Sequence, residues 1–198
     1  MDSFGGLSAA REVEIDLLTD AYRISGIVQT RFGRVTDILN QLLGAHLTVE
    51  RATISEHADA NATLSAQSAL VDASSILLLV APGLTGEAST EMRIPKRAVK
   101  AMFALPPIRI TGTLHVTVGG RPIDGLLNMS DRFLAMTDVT IVSAAFPQLG
   151  RTVGAAAISR SRAQVLLIAD DERPDELLAD VLDERTAEEW LRNDDAPG

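Results

Sequence analysis

The sequence predicts a mainly β protein: two tandem repeats of a small, strongly bent antiparallel β-sheet or barrel, each with a short helical turn, followed by an acidic C-terminal helix. Three observations support this. Short segments alternate apolar and polar residues between turn formers. The segment 108–142 occurs a second time, in degraded form, at 22–55. Beyond residue 170 the composition turns acidic. We divide the chain into a β unit at 11–82, a linker at 83–96, a second β unit at 97–170 and an acidic helical tail at 171–198.

The repeat is an alignment of 22–32 with 108–118 and of 33–54 with 120–141. Arg-x-x-Asp-x-Leu recurs at a fixed distance from glycine and from Thr-Ile, which favours duplication over chance similarity and predicts the same strand order in both units. The identical pairs are Arg23/Arg109, Ile24/Ile110, Gly26/Gly112, Gly33/Gly120, Arg34/Arg121, Asp37/Asp124, Leu39/Leu126, Leu47/Leu134, Thr53/Thr140 and Ile54/Ile141.

Strands of the first unit are predicted from alternation at 12–19, 22–31 and 47–55. The run 76–80 is apolar on both faces and predicts a buried strand at the end of 69–81. A helical turn or two is predicted from Asp37 to Gly44, capped by Thr36 or Asp37. The polar segment 56–68 is interpreted as a mobile connection.

The second unit has predicted strands at 98–105, 108–118 and 133–143, a helical turn at 125–129 capped by Asp124, and a loop at 146–151. The segment 155–169 aligns with 67–81 through four identical pairs and predicts the last strand or strand pair. Those pairs are Ala69/Ala157, Leu78/Leu166, Leu79/Leu167 and Ala81/Ala169. A glycine inside each second strand favours a bent sheet or small barrel over a flat sheet. The aromatic residues assigned to the core are Tyr22, Phe103 and Phe133.

A bent five-stranded unit with glycine in its second strand and an apolar last strand preceded by arginine resembles the Sm-like small barrels. In the second unit the relevant stretches are 110–114 (ITGTL) and 158–165 (ISRSRAQV). Ser161 and Ala163 occupy places where that family has the glycine and asparagine that contact RNA. The resemblance therefore implies the barrel fold more than RNA binding. The segment 131–138 (DRFLAMTD) is also similar to an uncharacterised bacterial repeat domain, which implies no function.

The charge is unevenly distributed along the chain. Residues 170–198 hold 12 of the 27 acidic residues and 3 of the 18 basic residues, so this segment carries the whole net charge of −9. The absence of cysteine excludes disulfides and cysteine-ligated zinc, and is consistent with a reducing compartment. The start of the chain has no signal-peptide pattern and no apolar run is long enough for a membrane span. We therefore expect a soluble cytoplasmic protein that does not bind membranes.

Catalytic motifs are missing from the sequence. His46, His57 and His115 are isolated, with no metal-ligand spacing, and no nucleophile motif or phosphate loop is found. We therefore expect no enzymatic activity, no cofactor and no metal.

Two charged pairs recur between the units. The pairs Arg34/Asp37 and Arg121/Asp124 are interpreted as repeated ion pairs that lock a helical turn. The alternative is a pair of equivalent ligand or protomer contacts.

Two classes of function remain. The favoured one is a non-catalytic scaffold or interaction module that binds a protein partner or itself, with a dimer formed through unpaired sheet edges. The alternative is an Sm-like single-stranded nucleic-acid binder whose acidic tail is autoinhibitory. It would use the only basic patch, formed by Arg93, Lys96, Arg97 and Lys100.

The tail is predicted to contain a helix that begins near Pro174 and carries an apolar stripe. Its candidate partner-binding residues are Leu178, Val181, Leu182, Trp190 and Leu191. The tail either binds a separate partner or docks on the β units of its own chain, where Trp190 would complete their core.

Overall fold

The computed structural model describes residues 9–59, 61–84, 96–118 and 121–169. In these residues ten antiparallel strands form one sheet, accompanied by two short α-helices and a 3-10 turn at Pro147–Leu149. The prediction of a mainly β chain is confirmed. In chain order the elements are β1 (Arg11–Leu18), β2 (Tyr22–Thr30), α1 (Val35–Asn40), β3 (His46–Glu56), β4 (Thr63–Asp72), β5 (Leu78–Val80), β6 (Lys96–Leu105), β7 (Ile108–Thr117), α2 (Pro122–Leu127), β8 (Phe133–Val142), β9 (Arg151–Ser159) and β10 (Val165–Ile168).

Strands are ordered β10-β6-β7-β8-β9-β5-β1-β2-β3-β4 across the sheet. The first half of the chain contributes β5-β1-β2-β3-β4 and the second half contributes β10-β6-β7-β8-β9, so the two halves have the same internal order. They meet where β5 pairs with β9, which we call the junction. The sequence alone does not decide whether the two units form two barrels or one intertwined barrel, and pairing at the junction joins both halves in one continuous sheet.

Each second strand bends at a glycine. The β2–β3 register shifts between Ser25 and Ile27, and a Cβ on the intervening Gly26 would lie 2.7 Å from the carbonyl oxygen of Glu50. The β7–β8 register shifts in the same way at Gly112, where a Cβ would lie 2.8 Å from the carbonyl oxygen of Thr137. Only glycine allows the neighbouring backbone to approach this closely, so both bends depend on it.

Across each bulge one residue adopts a left-handed backbone conformation. Arg51 on β3 has a φ of 49° and Asp138 on β8 has a φ of 52°. These two positions are aligned in the sequence repeat. The side chains of β3 change face at Arg51 because the β-bulge inserts one extra residue and reverses the alternation.

Two hydrophobic cores lie on the sheet, one for each half, and β5 contributes to both. Leu78 and Val80 pack in the core of the second half, whereas Leu79 packs in the core of the first half. Conversely, Phe133 and Ala157 of the second half pack in the core of the first half. Burying an aliphatic side chain of this size contributes about 1.5–3 kcal/mol. The apolar run at 76–80 was predicted to be buried on both faces. It is buried in this way because its side chains are divided between the two cores.

The segment 56–68 was predicted to be a mobile connection, and that prediction is wrong for its second half. β4 starts at Thr63 and pairs with β3 along its whole length. Its side chains are mostly exposed on both faces, with Val71 the buried exception. The strand therefore lacks the buried apolar face by which a half-buried strand is normally recognised.

The alignment of 67–81 with 155–169 is wrong by one residue. The Leu77 amide donates to the carbonyl of Leu18, and the Gln164 amide donates to the carbonyl of Ala104. These matching hydrogen bonds pair Leu77 with Gln164, which lie 87 positions apart, whereas the sequence alignment used a separation of 88. The segments are rich in alanine and leucine, so identities occur in either register. In a strand a one-residue slip exchanges the two faces.

Both helices begin earlier than predicted. α1 starts at Val35 and α2 at Pro122, so Asp37 and Asp124 lie inside the first turn rather than capping it. Neither N-cap residue, an arginine in both helices, makes a side-chain capping hydrogen bond. Proline without an amide proton is already suited to the first helical position, which explains the earlier start of α2.

The three aromatic residues assigned to the core behave differently. Phe103 and Phe133 are buried, as predicted. Tyr22 is 41% exposed, which corrects its assignment to the core. It is the first residue of β2, where the tight turn after β1 places the side chain at the margin of the sheet.

Candidate functional site

The β4 edge (Thr63–Asp72) is the first exposed margin of the sheet. β4 pairs with β3 on one side, and no described strand pairs with its other side. Leu64 and Leu70 are each 70% exposed on this strand. Unpaired edges normally carry charged residues that discourage pairing with another chain, yet between Thr63 and Asp72 there is no charge. The β4 edge is therefore suited to receive another strand.

The β10 edge (Val165–Ile168) is the second exposed margin. β10 pairs with β6 on one side, and again no described strand covers its other side. All four of its residues are aliphatic, and Val165 and Leu167 are 48% and 38% exposed. This edge is short, apolar and uncharged.

At the junction, the strands that correspond to β4 and β10 are paired with each other instead of exposed. There β5 and β9 pair antiparallel, with Leu78 opposite Ile158 and Leu79 opposite Ala157, and all four side chains are fully buried. The β3–β4 pair His46–Asp72 corresponds to the β8–β9 pair Phe133–Ser159 at the same separation of 87 positions, so Leu70 on β4 is the counterpart of Ala157. A position that is sealed in the junction is thus exposed at the β4 edge.

Contacts of α1 extend the junction beyond the paired strands. The Asn40 side chain donates from Nδ2 to the carbonyl of Phe133 at 2.9 Å and accepts from the Phe133 amide at 3.0 Å. The aligned residue on α2 is Leu127, which is 63% exposed. On the same helix Ile123 is also exposed, whereas its aligned residue on α1, Thr36, is buried. Helix α2 therefore exposes an apolar side chain at the position where Asn40 of α1 makes polar contacts across the junction.

Charged contacts also join the two halves, and sequence reasoning missed them. Asp16 on β1 accepts from Arg23 and from Arg151 on β9, each at 2.7 Å. The hydrogen bond from Arg23 to Asp16 raises the pKa of that guanidinium. Asp20 pairs with Arg162 across the same region. Nothing in the sequence signals the contacts of Asp16 with Arg151 and of Asp20 with Arg162, because these partners are far apart in the chain.

The predicted repeated ion pairs differ between the halves. Arg121 binds Asp124 through two contacts of 3.2 Å, and this hydrogen bonding lowers the pKa of the carboxyl. The pKa of Asp37 is instead raised, chiefly by burial, and the charge of Arg34 opposes that rise. Among the described side chains no ion pair joins Arg34 to Asp37. The structure thus shows the turn-locking pair in α2 alone.

The predicted basic patch is only partly brought together. Lys96 and Lys100 are exposed and four residues apart on β6, which places them on one face. Arg97 lies between them in sequence and therefore on the opposite face. Arg93 lies outside the described residues. Lys100 donates to Thr113 Oγ1 at 3.2 Å. The described residues therefore give two lysines on one face rather than a cluster of four cations.

A shallow cleft of about 750 Å³ lies between the ends of β2 and β3 and helix α1. Its lining mixes apolar side chains such as Leu42 and Leu43 with polar ones such as Gln29 and Glu50. Leu43 is fully exposed at its rim. The lining includes His46, the first residue of β3, which pairs with Asp72 at the end of β4.

The three histidines are not clustered. His57 is buried, with Nε2 3.0 Å from the carbonyl oxygen of Thr19, while Gln148 donates to the His57 carbonyl at 2.8 Å. His115 lies 3.1 Å from Thr137 Oγ1, and His46 is exposed. Within the described ranges no group of three or more His, Asp or Glu side chains could hold a metal ion.

The candidate partner-binding residues of the tail, Leu178, Val181, Leu182, Trp190 and Leu191, all lie outside the described residues. Among the helices of the described ranges, none has the length and apolar character to cross a membrane. No family model, curated protein or solved structure matches this chain.

Proposed function

We propose that this protein is a non-catalytic scaffold or interaction module that binds protein segments by adding a strand to its exposed sheet edges. The observation that carries the proposal is the β4 edge, with Leu64 and Leu70 each 70% exposed and no charged residue between Thr63 and Asp72. Strand addition supplies main-chain hydrogen bonds, and exposed side chains on the edge supply specificity. Burial of two exposed leucines would add about 1.5–3 kcal/mol each.

The proposal includes a tandem origin for the two halves. Their equal strand order, their glycine bulges and their hydrogen bonds 87 positions apart support descent from one five-stranded unit. Five strands with a glycine bend in the second also support the resemblance to Sm-like barrels. The acidic tail would be a second interaction element, which its apolar stripe and the net charge of residues 170–198 support.

Single-strand nucleic-acid binding is the alternative function. Lys96 and Lys100 on one face of β6 favour it. Against it, Arg97 points to the other face, and stacking on bases needs exposed aromatic rings, of which Tyr22 is the one that is more than one-third exposed among the described residues. The described residues give two uncharged edges with exposed aliphatic side chains and two lysines on one face of β6, so strand addition is the preferred function.

The test is a comparison of two substituted surfaces on the full chain. Leu64→Lys with Leu70→Lys places charge on the β4 edge, and Lys96→Glu with Lys100→Glu reverses the charge on β6. We expect affinity capture of protein partners to be lost in the first double variant and kept in the second. A single-stranded oligonucleotide should bind neither the wild type nor either variant in a mobility assay at physiological salt. Capture that is insensitive to the edge, together with oligonucleotide binding abolished on β6, would reject the proposed function in favour of the alternative.

A further inference from the structure

The two outermost strands of the described sheet correspond to the two strands that pair with each other at the junction. At the junction the last strand of the first half, β5, pairs with the fourth strand of the second half, β9. The fourth strand of the first half is β4 and the last strand of the second half is β10. These are the two strands left without an outer neighbour among the described residues. The free edges are therefore complementary to each other in the way that β9 and β5 are.

From this relationship we infer that a second copy of this chain docks head to tail, with the β10 edge of one copy pairing antiparallel to the β4 edge of the next. The inference rests on the proposed function, because it uses the same edges, and it names the partner. A contact between two different surfaces is heterologous, so repetition gives a closed ring when the rotation closes and an open filament when it does not.

The register of the contact follows from the junction. Leu79 lies opposite Ala157 there. Their counterparts, 87 positions later on β10 and 87 positions earlier on β4, are Leu166 and Leu70. The inferred pairing therefore sets Leu166 of one copy opposite Leu70 of the next. Leu167 then lies opposite Ala69.

Burial supports the assignment from both sides. Ala157 is fully buried at the junction, whereas its counterpart Leu70 is 70% exposed. Val80 is buried, whereas its counterpart Leu167 is 38% exposed. Each free strand thus exposes aliphatic side chains at positions that the internal contact seals. An unpaired edge strand that exposes aliphatic side chains favours pairing with another strand.

Helix α2 supplies a second surface that fits the same copy. Asn40 on α1 crosses the junction to Phe133, at the start of β8. The corresponding pair between two copies is Leu127 on α2 and His46 at the start of β3. Leu127 is 63% exposed, and His46 lines the cleft beside Leu42 and Leu43. The contact between copies would consequently be more apolar than the junction, which uses Asn40.

Cysteine crosslinking tests the register, because the chain has no cysteine of its own. Leu70→Cys with Leu166→Cys, and Ala69→Cys with Leu167→Cys, place thiols at two adjacent opposed pairs. Adjacent pairs alternate between wide and close spacing, so one of the two should form a disulfide on mild oxidation. We expect intermolecular dimers and higher multiples on a non-reducing gel. Ser68→Cys with Leu166→Cys is the control, since diagonal neighbours lie about 7–8 Å apart, too far for a disulfide.

Complementation tests the head-to-tail arrangement on the full chain. Leu70→Lys blocks the β4 edge and Val165→Lys blocks the β10 edge, because a lysine on an edge strand opposes pairing. In sedimentation velocity we expect the wild type to exceed the monomer mass of 21.1 kDa at tens of micromolar (about 10–100 µM), and each blocked variant to be monomeric. An equimolar mixture of the two should form a 1:1 dimer through the one intact edge on each. Glu14→Lys, on the interior strand β1, should associate like the wild type.

Two outcomes overturn the inference. If the copies instead formed a symmetric β4–β4 dimer, Val165→Lys would remain dimeric. In the equimolar mixture only the Val165→Lys chains, half of the total, would then associate. A monomeric wild type would reject docking of a second copy, whether the edges are covered by residues 171–198 or by nothing. Neither outcome rejects the proposed function by itself, since capture of a different protein through Leu64 and Leu70 would then still depend on the β4 edge. Circular dichroism of each variant separates loss of association from loss of the fold.

Discussion

The side chain of Asn40 holds both backbone hydrogen-bonding groups of Phe133, a residue 93 positions away, through contacts of 2.9 and 3.0 Å. Asn40 is the last residue of α1, and Phe133 is the first residue of β8. This one amide therefore ties the helix of the first half to the start of β8 in the second half. Asparagine suits the position because its amide group both donates and accepts.

Replacement of Asn40 by alanine should lower the free energy of unfolding by about 1–3 kcal/mol, because the amide and carbonyl of Phe133 would lose their partners in a partly buried site. Chemical denaturation measures the change. Gln41→Ala is a matched control, since this neighbouring side chain is exposed and should change stability by less than about 0.5 kcal/mol. Equal losses in the two variants would show that the Asn40 contact does not stabilise the junction.

Gly26→Ala should be destabilising, because the added Cβ would lie 2.6 Å from Val49 Cγ1 and 2.7 Å from the Glu50 carbonyl oxygen. Overpacking of this kind costs about 1–3 kcal/mol, and backbone on one side leaves little room for relaxation. Gly154→Ala on β9 is the control, because nothing lies within 4 Å of the added atom. It should be neutral or stabilise the fold by up to about 1 kcal/mol. Thermal unfolding of both variants checks the contrast, and a tolerated Gly26→Ala would contradict the bulge as the reason for glycine.

Local patterns in the sequence were sufficient to predict the strands that alternate cleanly. β1, β2, β3 and the strands β6 to β8 begin and end within two residues of their predicted limits. The bends at Gly26 and Gly112 were also predictable, because a glycine occupies the aligned position inside the second strand of each unit. In these strands buried and more exposed side chains alternate, and the local pattern records that difference.

Features that depend on the other half of the chain could not be predicted. β4 was missed because both of its faces are exposed, so no buried apolar face marks it in the sequence. The pairing of β5 with β9 leaves no local signal, since the run at 76–80 shows only that both faces are buried. The contacts of Arg151 with Asp16 and of Asn40 with Phe133 follow from that pairing. The edges proposed as the functional surface are therefore visible only in the sheet order.

The carboxyl group of Asp37 should make stability depend on pH. Its pKa is raised above the ordinary value of 3.8, first by burial and then by the charge of Asp131, with Arg34 acting in the opposite direction. The folded chain thus binds this proton more tightly than the unfolded chain. The stability associated with the neutral form is present below pH 3.8 and is lost as the pH rises through the higher folded-state pKa.

Asp37→Asn should accordingly raise the denaturation midpoint near neutral pH, and the gain should shrink as the pH falls toward 3.8. Asp72→Asn is the control of opposite sign. The pKa of Asp72 is lowered by hydrogen bonds from the Ser74 backbone and side chain, so its contribution is present at neutral pH and is lost on acidification. Urea titrations across this pH range measure both. The same direction of change in the two variants would be inconsistent with burial as the cause at Asp37.

Fluorescence of Trp190, the one tryptophan in the chain, should report what the tail does. If the tail is a second interaction element, the isolated protein should emit close to the wavelength of tryptophan in water, and denaturant should hardly shift it. Trp190→Ala should then leave the unfolding midpoint unchanged, as should Asn193→Ala, a nearby control outside the apolar stripe. The reason is physical: an apolar stripe reserved for a partner stays hydrated until the partner arrives. Blue-shifted emission in the native chain, together with a lower midpoint for Trp190→Ala but not for Asn193→Ala, would instead mean that the tail docks on its own sheet. Its apolar residues would then belong to the fold rather than to an interaction site.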